Sequence, residues 1–131
     1  VSTVSGGNAN TASGYRSSIG GGQANTASEA CSRVGGGCGN TASGCSSLVA
    51  GGIGNVSTGT ATVVGGGQAN SASTFRSTVA GGQLNSASHN YATVGGGYCN
   101  TAFGVYSTVG GGQCNSALNT HTFIEVYRIS S

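Results

Sequence analysis

The sequence predicts an all-β fold, a parallel β-solenoid (β-roll) of eight 15-residue coils followed by a C-terminal strand. Three observations carry this reading. A β-branched residue recurs every fifteen positions, at Val4, Ile19, Val34, Val49, Val64, Val79, Val94, Val109 and Ile124, without insertion or deletion. An asparagine keeps the same period at Asn10, Asn25, Asn40, Asn55, Asn70, Asn85, Asn100 and Asn115. A glycine pair keeps it too, from Gly6 and Gly7 to Gly111 and Gly112. Fixed-period self-similarity marks a stacked repeat array. Fifteen residues are too few for a helical-hairpin unit and suit one turn of a two-sided β-solenoid.

The unit reads x-S-T-V-G-G-G-Q-x-N-T-A-S-G-x and divides into two short alternating runs, each ended by glycine, which read as strand plus turn. Alternation puts Ser2 and Val4 on one face and Thr3 on the other. In the second run Asn10 and Ala12 face inward, while Thr11 and Ser13 face outward. Each coil therefore buries one Val or Ile, one Ala, a Ser and the Asn. That core is thin, so backbone ladders and side-chain stacks must contribute much of the stability. The inward Asn column is expected to form an amide ladder along the axis, which also satisfies polar groups that cost ~1–3 kcal/mol each when buried unpaired. Glycines permit the tight turns and the close approach of the two sheets. With coils about 4.8 Å apart, residues 1–120 make a rod of roughly 40 Å. Residues 121–131 keep the Ile124 phase but lose the glycine pair and the asparagine. They are expected to form a capping or inter-subunit strand, with Phe123, Ile124, Val126, Tyr127 and Ile129 as the assembly residues.

Composition excludes several function classes. Of 131 residues 27 are glycine, and only six are charged: four Arg and two Glu. Four scattered Arg make no basic stripe, so no nucleic-acid partner is expected. No apolar run of about 18 residues exists to insert in a membrane. The chain opens on Val1 with no initiating Met and no charged-then-apolar leader, as expected of a mature chain or a fragment. No catalytic residues are assigned. Asp is absent, and the two carboxylates, Glu29 and Glu125, are far apart, which disfavours paired acid–base work. His121, Glu125 and a nearby Ser can be drawn as a triad, but they lie in a terminal strand with no elbow motif. With no Lys the glycine runs are not phosphate loops, and with no Asp they are not calcium-binding roll repeats. No cofactor and no metal site is expected, since no C-x-x-C pair or clustered His occurs.

The five cysteines are Cys31, Cys38, Cys45, Cys99 and Cys114. Cys99 and Cys114 lie one period apart, hence on adjacent coils and within disulfide range. Cys31 and Cys45 fall at the same edge, which leaves Cys38 over, free or intermolecular. The most regular surface feature is the outward hydroxyl array of Thr11, Ser13, Thr26, Ser28, Thr41, Ser43, Ser71, Ser73, Ser86 and Ser88. It is a candidate ligand or ice face, or a place for O-linked glycans; the plain alternative is that Ser and Thr suit solvent-facing strands. Val56, Phe103 and Leu118 interrupt it. The one N-glycosylation sequon, Asn55-Val56-Ser57, uses an asparagine of the inner column and is discounted. Variable residues mark the edges: Tyr15, Arg16, Phe75, Arg76, Tyr91, Val105 and Tyr106 along one, and Gln23, Gln68, Gln83, Leu84, Tyr98 and Gln113 along the other. Aromatic and Arg residues favour interfaces, so the first edge is the candidate for lateral contact.

The motif S-T-V-G-G-G-x-x-N-T-A-S-G, clearest at residues 106–117, resembles the YadA-like head repeats of trimeric autotransporter adhesins and related fibre proteins, over about residues 2–118. The resemblance implies a left-handed parallel β-roll, trimers, and a place on cell surfaces or phage-like fibres. The half-unit N-T-A-S-G is similar to the repeats of grass ice-binding proteins, which implies a monomeric roll. The expected function is structural: a subunit of an extracellular fibre or surface appendage whose partner is itself, joined through solenoid ends or edges. The alternatives are a monomeric ice-binding protein, or a trimeric adhesin head with a glycan or other cell-surface ligand.

Overall fold

The computed structural model describes residues 1–125. They form a parallel β-solenoid of seventeen two-residue strands in chain order. The odd-numbered strands, from β1 (Thr3–Val4) to β17 (Phe123–Ile124), make a nine-stranded parallel sheet. The even-numbered ones, from β2 (Thr11–Ala12) to β16 (Ser116–Ala117), make an eight-stranded parallel sheet. Every pairing is fifteen residues in register, as in Val79↔Val94 and Ala72↔Ala87. A third line of contact runs along one edge, where Asn8, Gln23, Cys38, Ile53, Gln68, Gln83, Tyr98 and Gln113 are joined by single parallel bridges. The two-sided reading did not include this third ladder, because one bridged residue per coil leaves no alternation to detect.

The core is the line along which the two sheets meet. Val34, Val49, Val64, Val79, Val94 and Val109, with Ile19, face Ala27, Ala42, Ala72, Ala87, Ala102 and Ala117, all buried. The serine column joins them: Ser17, Ser32, Ser47, Ser77 and Ser107 are buried. Three predicted core members differ. Val4 is 44 % exposed and Asn10 is only half-buried, because the first coil has no coil beneath it. Asn115 is half-buried for the matching reason in the last full coil. At the C-terminal end β17 continues the first sheet, with Val109 opposite Ile124. Val126, Tyr127 and Ile129 lie outside the described residues.

The asparagines do not form the side-chain amide ladder expected of them. They bond to backbone. Asn70 Oδ1 accepts from the Asn85 N–H at 2.9 Å, and Asn70 Nδ2 donates to Gly66 O at 2.9 Å and Gly82 O at 2.8 Å. The same three bonds recur in the coils on either side. Side-chain to side-chain bonds occur only toward the ends, at Asn25–Asn10 and Asn115–Asn100. Geometry explains the difference. The residue before each Asn turns a corner, so the Asn N–H falls out of the sheet ladder and needs another acceptor. The preceding coil's Asn supplies it.

Each coil has two corners in the left-handed region. One is the position of Arg16, Cys31, Ser46, Ala61, Arg76, Tyr91, Tyr106 and His121; the other is that of Ala9, Ala24, Ala69, Leu84, Cys99 and Cys114, with Gly39 and Gly54. Thirteen glycines among the described residues have positive φ, and fourteen non-glycine residues adopt it as well, with φ from 52° to 61°. None is Val, Ile or Thr, for which this region is a steric outlier. At the first corner the Ser17 N–H bonds back to Gly14 O at 3.0 Å, closing a turn whose third residue is left-handed, as type II turns require. Glycine is indispensable at the Gly67 position. There φ is +83°, and an added Cβ would strike Gly82 O and the Asn70 amide.

Replacing Asn70 by Leu strands the Asn85 N–H inside the rod and removes the side-chain donor from Gly66 O. The expected loss is about 3 kcal/mol or more. Gln68→Ala, at an exposed edge where only the backbone bridges, should stay within about 0.5 kcal/mol. Urea denaturation of both variants checks the contrast.

Candidate functional surfaces

The described residues form no concave pocket, so recognition falls to faces and edges. The outer face of the alanine sheet carries the hydroxyl array. Thr11, Thr26, Thr41, Val56, Ser71, Ser86, Thr101 and Ser116 stand opposite one another in unbroken register. Beside them Ser13, Ser28, Ser43, Ser73 and Ser88 continue the backbone ladder; the Ser28 N–H reaches Ala42 O at 3.1 Å. Thr26, Ser28, Thr41, Ser43, Ser71, Ser86 and Ser88 are half-buried, while Thr11, Ser13 and Ser73 are exposed. The structure thus places all ten predicted residues on one face, at the coil spacing of about 4.8 Å. No ionisable side chain belongs to either column.

Inside this face one coil departs from the rest in a coordinated way. Ser57 replaces the column's alanine, and Thr62 replaces its serine. Their hydroxyls bond at 2.7 Å, and the Thr62 hydroxyl donates to Gly59 O at 2.7 Å. An additional buried hydroxyl is thereby matched by a partner, as a buried polar group requires. Asn55 of the sequon is fully buried, and its Nδ2 is bonded to Gly51 O and Gly67 O. The folded coil therefore withholds the nitrogen that a glycan would need.

The edge bearing Tyr15 and Phe75 holds a ring column. Tyr91 stacks on Tyr106 with centroids 4.6 Å apart and planes 5° from parallel, and Tyr106 stacks on His121 at 5.1 Å. Phe75 meets Tyr91 edge-on at 5.5 Å. His89 lies against Phe103 at 4.7 Å, and the Arg76 guanidinium sits over the Phe75 ring at 4.9 Å. Parallel in-register corners put identical positions one coil apart, close to ring-stacking distance, which is why the column forms. His121 is thereby committed to an aromatic stack. Phe103, Tyr106, Leu118 and Phe123 are exposed in the last coils. The opposite edge carries the glutamines, Leu84 and Tyr98, as the spacing predicts.

All five cysteines are exposed and unbridged. Cys99 and Cys114 lie on adjacent coils, and a hydrogen bond from Cys99 holds the Cys114 thiol above its ordinary value, with lesser contributions from desolvation and the Cys99 charge. Among the described residues no group of three metal-ligating side chains comes together, and no helix is long and apolar enough to cross a membrane. No known family matches this chain, and no curated protein matches it.

The stacked tyrosines should be energetically coupled. A double-mutant cycle with Tyr91→Ala and Tyr106→Ala, read by thermal denaturation, is expected to give a coupling of about 1 kcal/mol.

Proposed function

We propose that the chain is a structural rod segment of an extracellular fibre or surface appendage, extended by stacking coils of one chain on those of the next. One observation carries this reading: the polarity of every coil seam. The N–H groups of Ser18, Gly20, Gln23, Thr26 and Ser28 all donate forward, to Ser32, Val34, Gly37, Asn40 and Ala42. Those of Arg16 and Ala24 donate backward, to Val1 and Asn8. Each coil therefore offers one bonding pattern ahead and its complement behind. Such an interface is heterologous; repeated without closure it builds an open filament rather than a closed ring. The resemblance to YadA-like head repeats supports a surface location and an adhesive or fibrous role. The low charge supports self-association, since little repulsion opposes it. In this reading the chain is not an enzyme, and its partner is a second copy of itself.

The test is the assembly state of the whole chain, by light scattering with negative-stain microscopy on the same sample. Rods lengthening with concentration at constant width are expected. Val4→Lys should leave the melting temperature unchanged, because Val4 is 44 % exposed in the free chain. The same change should abolish rods, because a seam would bury an unpaired ammonium. A strict monomer at every concentration rejects the proposal.

A second reading draws on the hydroxyl face. Its uncharged columns present hydroxyls and methyls at constant spacing, the arrangement needed to order a layer of surface water for ice binding. Thr26→Tyr with Thr41→Tyr should abolish ice-crystal shaping while leaving the circular dichroism spectrum intact. Shaping that survives the double substitution rejects this face.

A further inference from the structure

Of the five cysteines, only Cys99 and Cys114 occupy the same column in consecutive coils. Both sit at the left-handed corner next to the single-bridge ladder, with φ of 61° and 52°. Their backbones are held alike: the Cys99 N–H donates to Gln83 O at 2.9 Å and the Cys114 N–H to Tyr98 O at 2.8 Å. The residues just before them, Tyr98 and Gln113, are bridged in parallel register. Two residues of one conformation, one coil apart, have Cα atoms about 4.8 Å apart. Disulfides span Cα separations of roughly 4.4–6.8 Å. Both side chains leave the rod in the same direction and both are exposed. The upward push that Cys99 exerts on the Cys114 thiol agrees with the two side chains being neighbours. No ladder bond has to break for them to join. The remaining cysteines lack this relation. Cys38 has Gln23 and Ile53 as its column neighbours, and Cys31 and Cys45 belong to different columns.

We propose that Cys99 and Cys114 form a redox-controlled intercoil disulfide, a staple across the last full coils of the rod, with a low-molecular-weight disulfide such as oxidised glutathione as oxidant. One cysteine thiolate attacks a glutathione sulfur. The glutathione S–S bond breaks, one glutathione thiolate leaves, and a mixed disulfide forms on the protein. The second cysteine thiolate then attacks the protein-bound sulfur, the Cys99–Cys114 bond forms, and the second glutathione leaves. The two protein thiols lose two protons and two electrons, and oxidised glutathione gains them as two thiols. The staple ties two neighbouring coils together at corners that lie outside the two main sheets. This chemistry does not depend on the fibre reading.

The test incubates the folded chain with oxidised glutathione, then alkylates free thiols and measures intact mass. The expected product is a monomer with one internal disulfide. Chymotryptic cleavage after Phe103 or Tyr106 should release the Cys99 and Cys114 peptides still joined, and dithiothreitol should separate them. A Cys31→Ser, Cys38→Ser, Cys45→Ser variant should form the same bond. Amide exchange at residues 113–118 should slow several-fold on oxidation and recover on reduction. The proposal is overturned if only mixed glutathione adducts accumulate, if the disulfide joins other cysteines, or if the triple variant keeps both thiols free.

Discussion

The structure depends on a backbone donor that the sheets cannot satisfy. At each Asn the chain leaves a left-handed corner, and its N–H turns back toward the preceding coil, where no ladder carbonyl receives it. The side-chain oxygen of the Asn one coil below accepts it, at 2.9 Å through most of the rod. The same side chain donates to a glycine carbonyl of its own coil and to one of the next. One buried amide thus fixes the corner and holds two coils together. In a core of valines and alanines this counts for much, because each coil buries little apolar surface while an orphaned backbone group costs ~1–3 kcal/mol. It also explains the glycine that follows the pair's first member. The carbonyl receiving the amide must come so close that a Cβ on the glycine below would strike it.

The corners place a second demand on the sequence, by exclusion. Beside the Gly67 column, two corner residues per coil are left-handed, and fourteen of these in the described chain carry side chains. Ala, Arg, Cys, Ser, Tyr, Leu and His are admitted; β-branched residues are not, although they fill the strands a few positions away. Because these side chains point away from the core, the corners are where the chain varies most and where its chemistry gathers. The ring stack lies at one corner and the adjacent thiols at the other. The inward strand positions stay nearly uniform, and where the alanine column gains a hydroxyl at Ser57, Thr62 forms a 2.7 Å bond with it that offsets the burial.

Period and alternation made the architecture legible. The register, the two sheets, the inward Val, Ala and Asn columns and the outward hydroxyl face all follow from a fifteen-residue repeat with side chains alternating in and out. The acceptors of the Asn amides were not legible, because they are backbone carbonyls and leave no trace in residue identity. The third ladder, at one residue per coil, offers no pattern to read. Glycine is the residue that propensity favours at positive φ, so the alanine, tyrosine and cysteine found there were not legible. A signal was nevertheless present: from Ala9 to Cys114 and from Arg16 to His121, neither corner column contains a β-branched residue. The exposure of Val4 reflects its place in the terminal coil, which the repeat treats as equivalent to every other.

The unbroken fifteen-residue register has a genetic consequence. Each coil makes the same bonds to its neighbours, and each Asn serves whichever coil lies above it. Duplication or loss of one whole unit of coding sequence therefore leaves every remaining coil with a complete set of partners. Length can change by unequal recombination between repeats without refolding the rest, while any change that is not a whole unit shifts the phase of every column after it. The linked pair Ser57 and Thr62 marks the exception: a breakpoint between them would separate two residues whose hydroxyls bond each other at 2.7 Å. Rods of this design can lengthen quickly over evolutionary time, and compensated irregularities such as this pair record where exchange has not cut.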